Sequence, residues 1–131
     1  MLKTYQGSGK AASSGTQILV FWEAWCPYSQ LAVPSMERIH QKYRSQGLDV
    51  LGLTRVNRSS SDEMVMDFIK DTGITYSIVQ ENGSAWSYFD CRGTPWVVVA
   101  QDGMMVWENV FDIPEQFPEI MLEQLVKAKS G

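Results

Sequence analysis

Cys26 is the residue best placed to do chemistry. It lies in Phe21-Trp22-Glu23-Ala24-Trp25-Cys26-Pro27-Tyr28-Ser29, directly after an apolar, β-prone run and directly before a segment with helical spacing. Backbone N–H groups at a helix start point toward such a sulfur, and the helix dipole favours negative charge there. Both effects favour thiolate over thiol, and the thiolate is the nucleophile of disulfide exchange. Pro27 suits the first helical position, where its missing N–H had no partner anyway. Ser29 follows three positions on. Its hydroxyl can donate a hydrogen bond to a thiolate but cannot form a disulfide. The plainer alternative for Cys26 is a half-buried structural thiol. The aromatic residues before it and Pro27 after it argue instead for a helix start.

These residues need a strand, a helix and an opposing loop to hold them. Ile18–Trp22 is a short apolar run that fits a buried central strand. Pro27 to about Gln46 reads as a helix, with Leu31, Met36, Ile39 and Tyr43 near helical spacing and Gly47 as its closing residue. Pro34 inside it removes one backbone hydrogen bond and predicts a kink. Leu48–Val56 reads as a second strand. Ser60 and Glu63 form a capping box that opens a helix to about Thr72, closed by Gly73. Tyr76–Val79 reads as a short strand and 84–89 as a helical turn. Trp96–Gln101 and Met104–Val110 flank Asp102-Gly103, a strong hairpin signal. A last helix starts within 114–118, because Pro118 is tolerated only in a first turn, and ends near Lys129. This order predicts an α/β domain with a central mixed sheet covered by helices on both faces.

The 131 residues suffice for one domain. The lead-in 1–17 is rich in Gly, Ser and Lys and is read as flexible, with 18–131 as the folded domain. It has no apolar core of the signal-peptide kind, so it is either a linker or the remainder after a targeting segment. With 44% hydrophobic and 20% charged residues the chain is globular rather than disordered. A net charge of −4 with no Lys/Arg stripe argues against nucleic acid as the main partner. The longest apolar runs are too short to span a bilayer. Two Cys and one His are too few for a disulfide framework or a usual four-ligand zinc site.

The chain resembles the thioredoxin superfamily, and within it the TlpA/ResA-like branch. FWEAWCPYS at 21–29, Pro34, Gly93-Thr94-Pro95 and the hairpin WVVVAQDGMMV at 96–106 carry the resemblance. It covers about 18–129. The long interval between Cys26 and Pro95 leaves room for the extra helix–strand segment of that branch, whose usual N-terminal hairpin is largely missing here. The resemblance implies a thioredoxin-like fold and thiol–disulfide chemistry on protein substrates. It also implies a cis Pro95 facing Cys26, with the Thr94 backbone pairing with an extended substrate strand. Trp25, Pro27, Tyr28 and Trp96 would border the sulfur. No metal, nucleotide, flavin or other cofactor is implied. The branch is usually extracytoplasmic and often membrane-tethered, which favours a bacterial periplasm or cell-surface site. The anchor is absent from this chain, and the cytoplasm is the alternative.

Ser29 departs from the family, which has the resolving cysteine there. Three readings follow. Cys26 works as a monothiol exchanger, reductase or isomerase, released by glutathione, by another thioredoxin-like reductant or by the substrate's own thiol. Or the chain is a non-catalytic binding or chaperone module. Or Ser29 is an engineered replacement in a CPYC dithiol reductase. Cys91, four residues before Pro95, is either a substitute second thiol or a small buried hydrophobe, and the second is the commoner role of a free Cys. Glu23 could shuttle protons near the sulfur but would also oppose the thiolate by like-charge repulsion. A solvated loop position is the expectation adopted for it. His40 reads as a mid-helix surface residue. Trp22, Trp86, Trp107, Met36, Met64, Met66 and Met121 read as core, and Arg55, Arg58 and Arg92 as scattered, with no Gly-rich loop to make a phosphate site.

Overall fold

A computed structural model describes residues 3–8, 15–56, 60–88, 94–111 and 113–130. Strands β1 (Thr4–Gln6), β2 (Thr16–Trp22), β3 (Leu48–Thr54), β4 (Ser77–Gln80), β5 (Trp96–Gln101) and β6 (Met104–Val110) alternate with helices α1 (Pro27–Tyr43), α2 (Asp62–Thr72), α3 (Ser84–Tyr88) and α4 (Glu119–Ser130). The six strands form one sheet in the order β1-β4-β3-β2-β5-β6. β2, β3 and β4 run parallel, while β5 is antiparallel to β2 and β6 to β5. The mixed sheet expected from the βα alternation and the terminal hairpin is present. Asp102 and Gly103 both take positive φ, at 51° and 84°, as the two-residue turn between β5 and β6 requires.

Strand alternation divides the apolar residues between two cores. Ile18, Val20 and Trp22 of β2 join Val50, Ile78, Val97 and Val99 on one face, beneath Val33, Met36 and Ile39 of α1, Val65 and Ile69 of α2, and Leu122 and Val126 of α4. Phe21, Leu51, Leu53, Val79, Trp96 and Val98 form a smaller core on the other face with Trp86 of α3. Gly52 permits one close approach: a Cβ there would lie 3.1 Å from Trp22 Nε1 and 2.7 Å from Ile78 Cδ1.

Several boundaries differ from the sequence expectation. Thr4–Gln6, placed in a flexible lead-in, pairs with β4 at the sheet edge, and β2 begins at Thr16. Tyr5 has a part in this, donating to Asp62 Oδ1 at 2.5 Å. The N-cap of α2 is Ser61 rather than Ser60, and its hydroxyl accepts from Met64 N at 3.1 Å. Ser60 donates to the Arg55 carbonyl instead. Pro118 precedes α4, after a 3₁₀ turn over Pro114–Gln116. Met64 and Met66 are exposed on α2, whose buried stripe is Val65 and Ile69.

Glu119, the first residue of α4, ties this helix to α1. Its carboxylate accepts from Arg38 Nη2 at 2.6 Å, Lys42 Nζ at 2.7 Å and the Tyr43 hydroxyl at 2.9 Å. Arg38 first, then Lys42, lower its pKa from 4.5 to about 2, against the opposing effect of partial burial. A lowered carboxylate pKa stabilises the fold fully above the unfolded value and loses this contribution as pH falls through the folded one. Glu119→Gln is therefore expected to lower stability at pH 7. Urea titrations at pH 7, 4 and 2 should show the deficit shrinking from about pH 4.5 and vanishing near pH 2. Because Arg38 and Lys42 are largely solvated, added salt should reduce it as well.

Candidate functional site

The site begins where β2 ends. After Trp22 the chain makes a turn closed by the Cys26 N–H donating to the Glu23 carbonyl at 3.0 Å. Cys26 is the N-cap of α1, in extended conformation at φ −79° and ψ 123°, and Pro27 follows as the first helical residue. Cys26 Sγ lies 3.8 Å from the Thr94 carbonyl oxygen, a weak S–H donor contact. The Thr94–Pro95 peptide is cis. These residues, distant in sequence, meet because β2 and β5 are paired with Phe21 opposite Trp96. Cys26 retains 4% exposure. The residue is thus more covered than one at an open helix mouth would be, with the Thr94 carbonyl beside its sulfur.

Ser29 is fully buried one turn into α1, and its Oγ accepts from the Glu23 N–H at 3.3 Å. Tyr28 and Pro27 are exposed beside it, as is Trp25. Trp96 does not join that open border. It packs into the smaller core with Phe21 and Val98, because its position on β5 points to that face. Pro95 is buried, and its carbonyl accepts from Phe111 N at 2.8 Å.

Glu23 corrects the expectation of a solvated loop residue. It is 4% exposed. Oε2 accepts from Trp25 Nε1 at 2.9 Å, and Oε1 pairs with Arg55 Nη2 at 3.2 Å. Arg55 comes from the segment just after β3 and lies over the Trp86 ring at 4.0 Å. A carboxylate withdrawn from water needs a cation and hydrogen-bond donors, and these supply both. Arg55 and Trp86 are the members that sequence reasoning missed. The parity of strand positions was the available signal: Glu23, Arg55 and Trp96 each continue the smaller-core face of their strands. Glu81 joins the same region, buried after β4, its Oε1 accepting from the N–H groups of Gly83 and Ala85 at the start of α3.

His40 is half-buried against Tyr76, with ring centroids 5.9 Å apart, and is no part of this site. Cys91, Arg58, Arg92 and Gly93 lie outside the described residues. Among the described residues no group of three or more His, Cys, Asp or Glu is arranged to hold a metal ion, and no helix is long and apolar enough to cross a membrane.

The redoxin family model matches residues 3–114. Over 84 residues the chain is 27% identical to sporulation thiol-disulfide oxidoreductase A of Bacillus subtilis, covering 63% of this chain and 51% of that protein. Over 114 residues it is 25% identical to the thiol-disulfide oxidoreductase ResA of Halalkalibacterium halodurans, covering 86% of this chain and 62% of that one. The chain thus spans between half and two thirds of the length of these relatives. Among solved structures, StoA from Bacillus subtilis superposes with a TM-score of 0.77 at 22% identity, covering 92% of this chain and 94% of that one. A thioredoxin-like protein from Aeropyrum pernix does so with a TM-score of 0.71 at 19% identity, covering 89% and 79%. The fold is thioredoxin-like, as the sequence resemblance implied.

Arg55→Met tests the electrostatics of the site. It keeps much of the packing on Trp86 but removes the cation beside Glu23. With Arg55 about one third solvated, the expected loss is roughly 1–3 kcal/mol at pH 7 by urea unfolding. Glu23→Gln in the same background should recover part of it, since the buried charge is then gone.

Proposed function

The chain belongs to the redoxin family, and from that premise we propose that it is a thiol–disulfide oxidoreductase acting through Cys26 on protein disulfides. One observation carries the reading: a cysteine sulfur at the first turn of α1 lies 3.8 Å from the carbonyl that precedes Pro95. The Thr94–Pro95 loop offers backbone to an extended substrate segment, with Trp25, Pro27 and Tyr28 as the exposed border. Once Cys26 is ionised it has no S–H to donate, and the Thr94 carbonyl becomes free to accept from substrate.

The steps balance as an exchange. The Cys26 thiolate attacks one sulfur of the substrate disulfide. A new S–S bond forms to Cys26, the substrate S–S bond breaks, and the departing sulfur leaves as a thiolate. Ser29 cannot complete the cycle, because a hydroxyl does not displace a thiolate from a disulfide here. A second thiol must attack the mixed disulfide and return Cys26 to the thiolate. A substrate cysteine other than the departing one gives isomerisation, a different substrate disulfide replacing the first. Glutathione, or the thiols of another thioredoxin-like reductant, gives reduction and is itself oxidised to a disulfide. Domain 18–131, extended by β1, carries this chemistry, and an extracytoplasmic site belongs to the same proposal through the TlpA/ResA-like resemblance.

A second reading, a thioredoxin-like binding module, draws on the low exposure of Cys26 and on Ser29. Mixed-disulfide capture separates the two. Incubated with a disulfide-bridged peptide, the protein is expected to gain one peptide strand by mass, and Cys26→Ala to gain none. Added thiol should release the adduct. Ser29→Cys is expected to suppress adduct accumulation at least about tenfold by self-resolution. A native chain whose Cys26 captures no peptide disulfide would leave the binding module as the surviving reading.

A further inference from the structure

Glu23 is tied to both motif positions at once. Its carbonyl accepts from the Cys26 N–H at 3.0 Å and its own N–H donates to Ser29 Oγ at 3.3 Å. Its side chain does something separate. One carboxylate oxygen holds the Trp25 indole N–H at 2.9 Å, and the other is engaged by Arg55 at 3.2 Å. Arg55 is itself braced on Trp86. Both carboxylate oxygens are thus held by side-chain donors. Trp25 is 42% exposed, so packing alone does not set its orientation; the bond to a buried carboxylate does. Trp25, Tyr28 at 57% and Leu31 at 68% present exposed apolar surface around the start of α1. A small disulfide touches little more than the sulfur. A peptide disulfide brings flanking side chains that can bury this surface and orient the reacting bond.

We propose that Glu23, braced by Arg55, is a positioning residue that holds the Trp25 indole as a wall of the Cys26 site, and that this wall makes disulfides in peptides with apolar flanking residues the favoured substrates over small soluble disulfides. The proposal rests on the oxidoreductase reading above and deepens it.

The test measures initial rates of mixed-disulfide formation at Cys26 by mass spectrometry. The two probes are a cystine-bridged peptide with Leu and Phe flanks and bis(2-hydroxyethyl) disulfide. The ratio of the two rates is the readout, which a general loss of folded protein would not move. Glu23→Ala and Trp25→Phe should each lower that ratio about tenfold, and the double variant should lower it no further. Trp25→Phe keeps a ring at a half-exposed position and so keeps the fold. Glu23→Gln should retain most of the ratio, because its carboxamide oxygen still accepts the indole N–H. Equal losses on both probes, multiplied losses in the double variant, or a ratio unchanged in Trp25→Phe would overturn the positioning role while leaving the exchange chemistry standing. A native chain that captures neither probe at Cys26 would overturn both.

Discussion

The antiparallel pairing of β2 with β5 is the constraint on which this site depends. One strand leads into Cys26 and the other starts directly after Thr94–Pro95. Phe21 opposite Trp96 sets the register. A slip of one residue would exchange the faces of every side chain on β5 and carry the strand-start loop away from the sulfur. The pairing is secured by what lies on either side of it. Val97 and Val99 enter the larger core while Trp96 and Val98 enter the smaller, so each face of β5 has its own burial to lose.

Several polar costs fall at the same end of the sheet. Among the described residues, the side-chain N–H groups of Trp22 and Trp96, the hydroxyls of Thr54 and Thr94, and one carboxylate oxygen of Glu81 are buried with no hydrogen-bond partner. Most lie at or just beyond the C-terminal ends of β2, β3 and β4, or at the start of β5. Such atoms cost free energy that the rest of the fold must offset. Glu23 is the opposite case. It carries the larger desolvation penalty of a carboxylate, yet Trp25 and Arg55 engage both of its oxygens. The network therefore orders the turn before Cys26 instead of merely being tolerated there.

Ser29 gains its meaning from this local geometry. It sits where a resolving thiol would be, fully buried, with the Glu23 N–H donating to its hydroxyl. The position keeps the short reach to Cys26 that a helical turn provides, but an oxygen there stabilises the loop without offering a second sulfur. In the proposed exchange at Cys26 the resolving thiol comes from outside this motif, and the exposed aromatic surface around it is the part of the site open to a partner.

Local patterns made much of this legible beforehand. The hairpin at Asp102-Gly103, the limits of β5 and β6, the start of α1 at Pro27 and the closing role of Gly73 all follow from turn chemistry and periodicity within a few residues. Cys26 was recognisable because helix-start effects are local as well. What the sequence left open was decided by contacts between distant segments. Thr4–Gln6 became a strand because an edge of β4 was available to pair with it, which no property of Thr-Tyr-Gln reveals. Glu23 looked like a solvated loop residue because its cation lies 32 positions away, on the neighbouring strand's exit. Trp96 turned inward because the pairing of β5 fixed its face. The chain alone determined which segments could be helix, strand or turn and marked the Cys26 sulfur as the candidate nucleophile. Only the tertiary structure decided what surrounds that atom, because desolvation and charge pairing depend on neighbours in space, whereas propensity depends on neighbours in sequence.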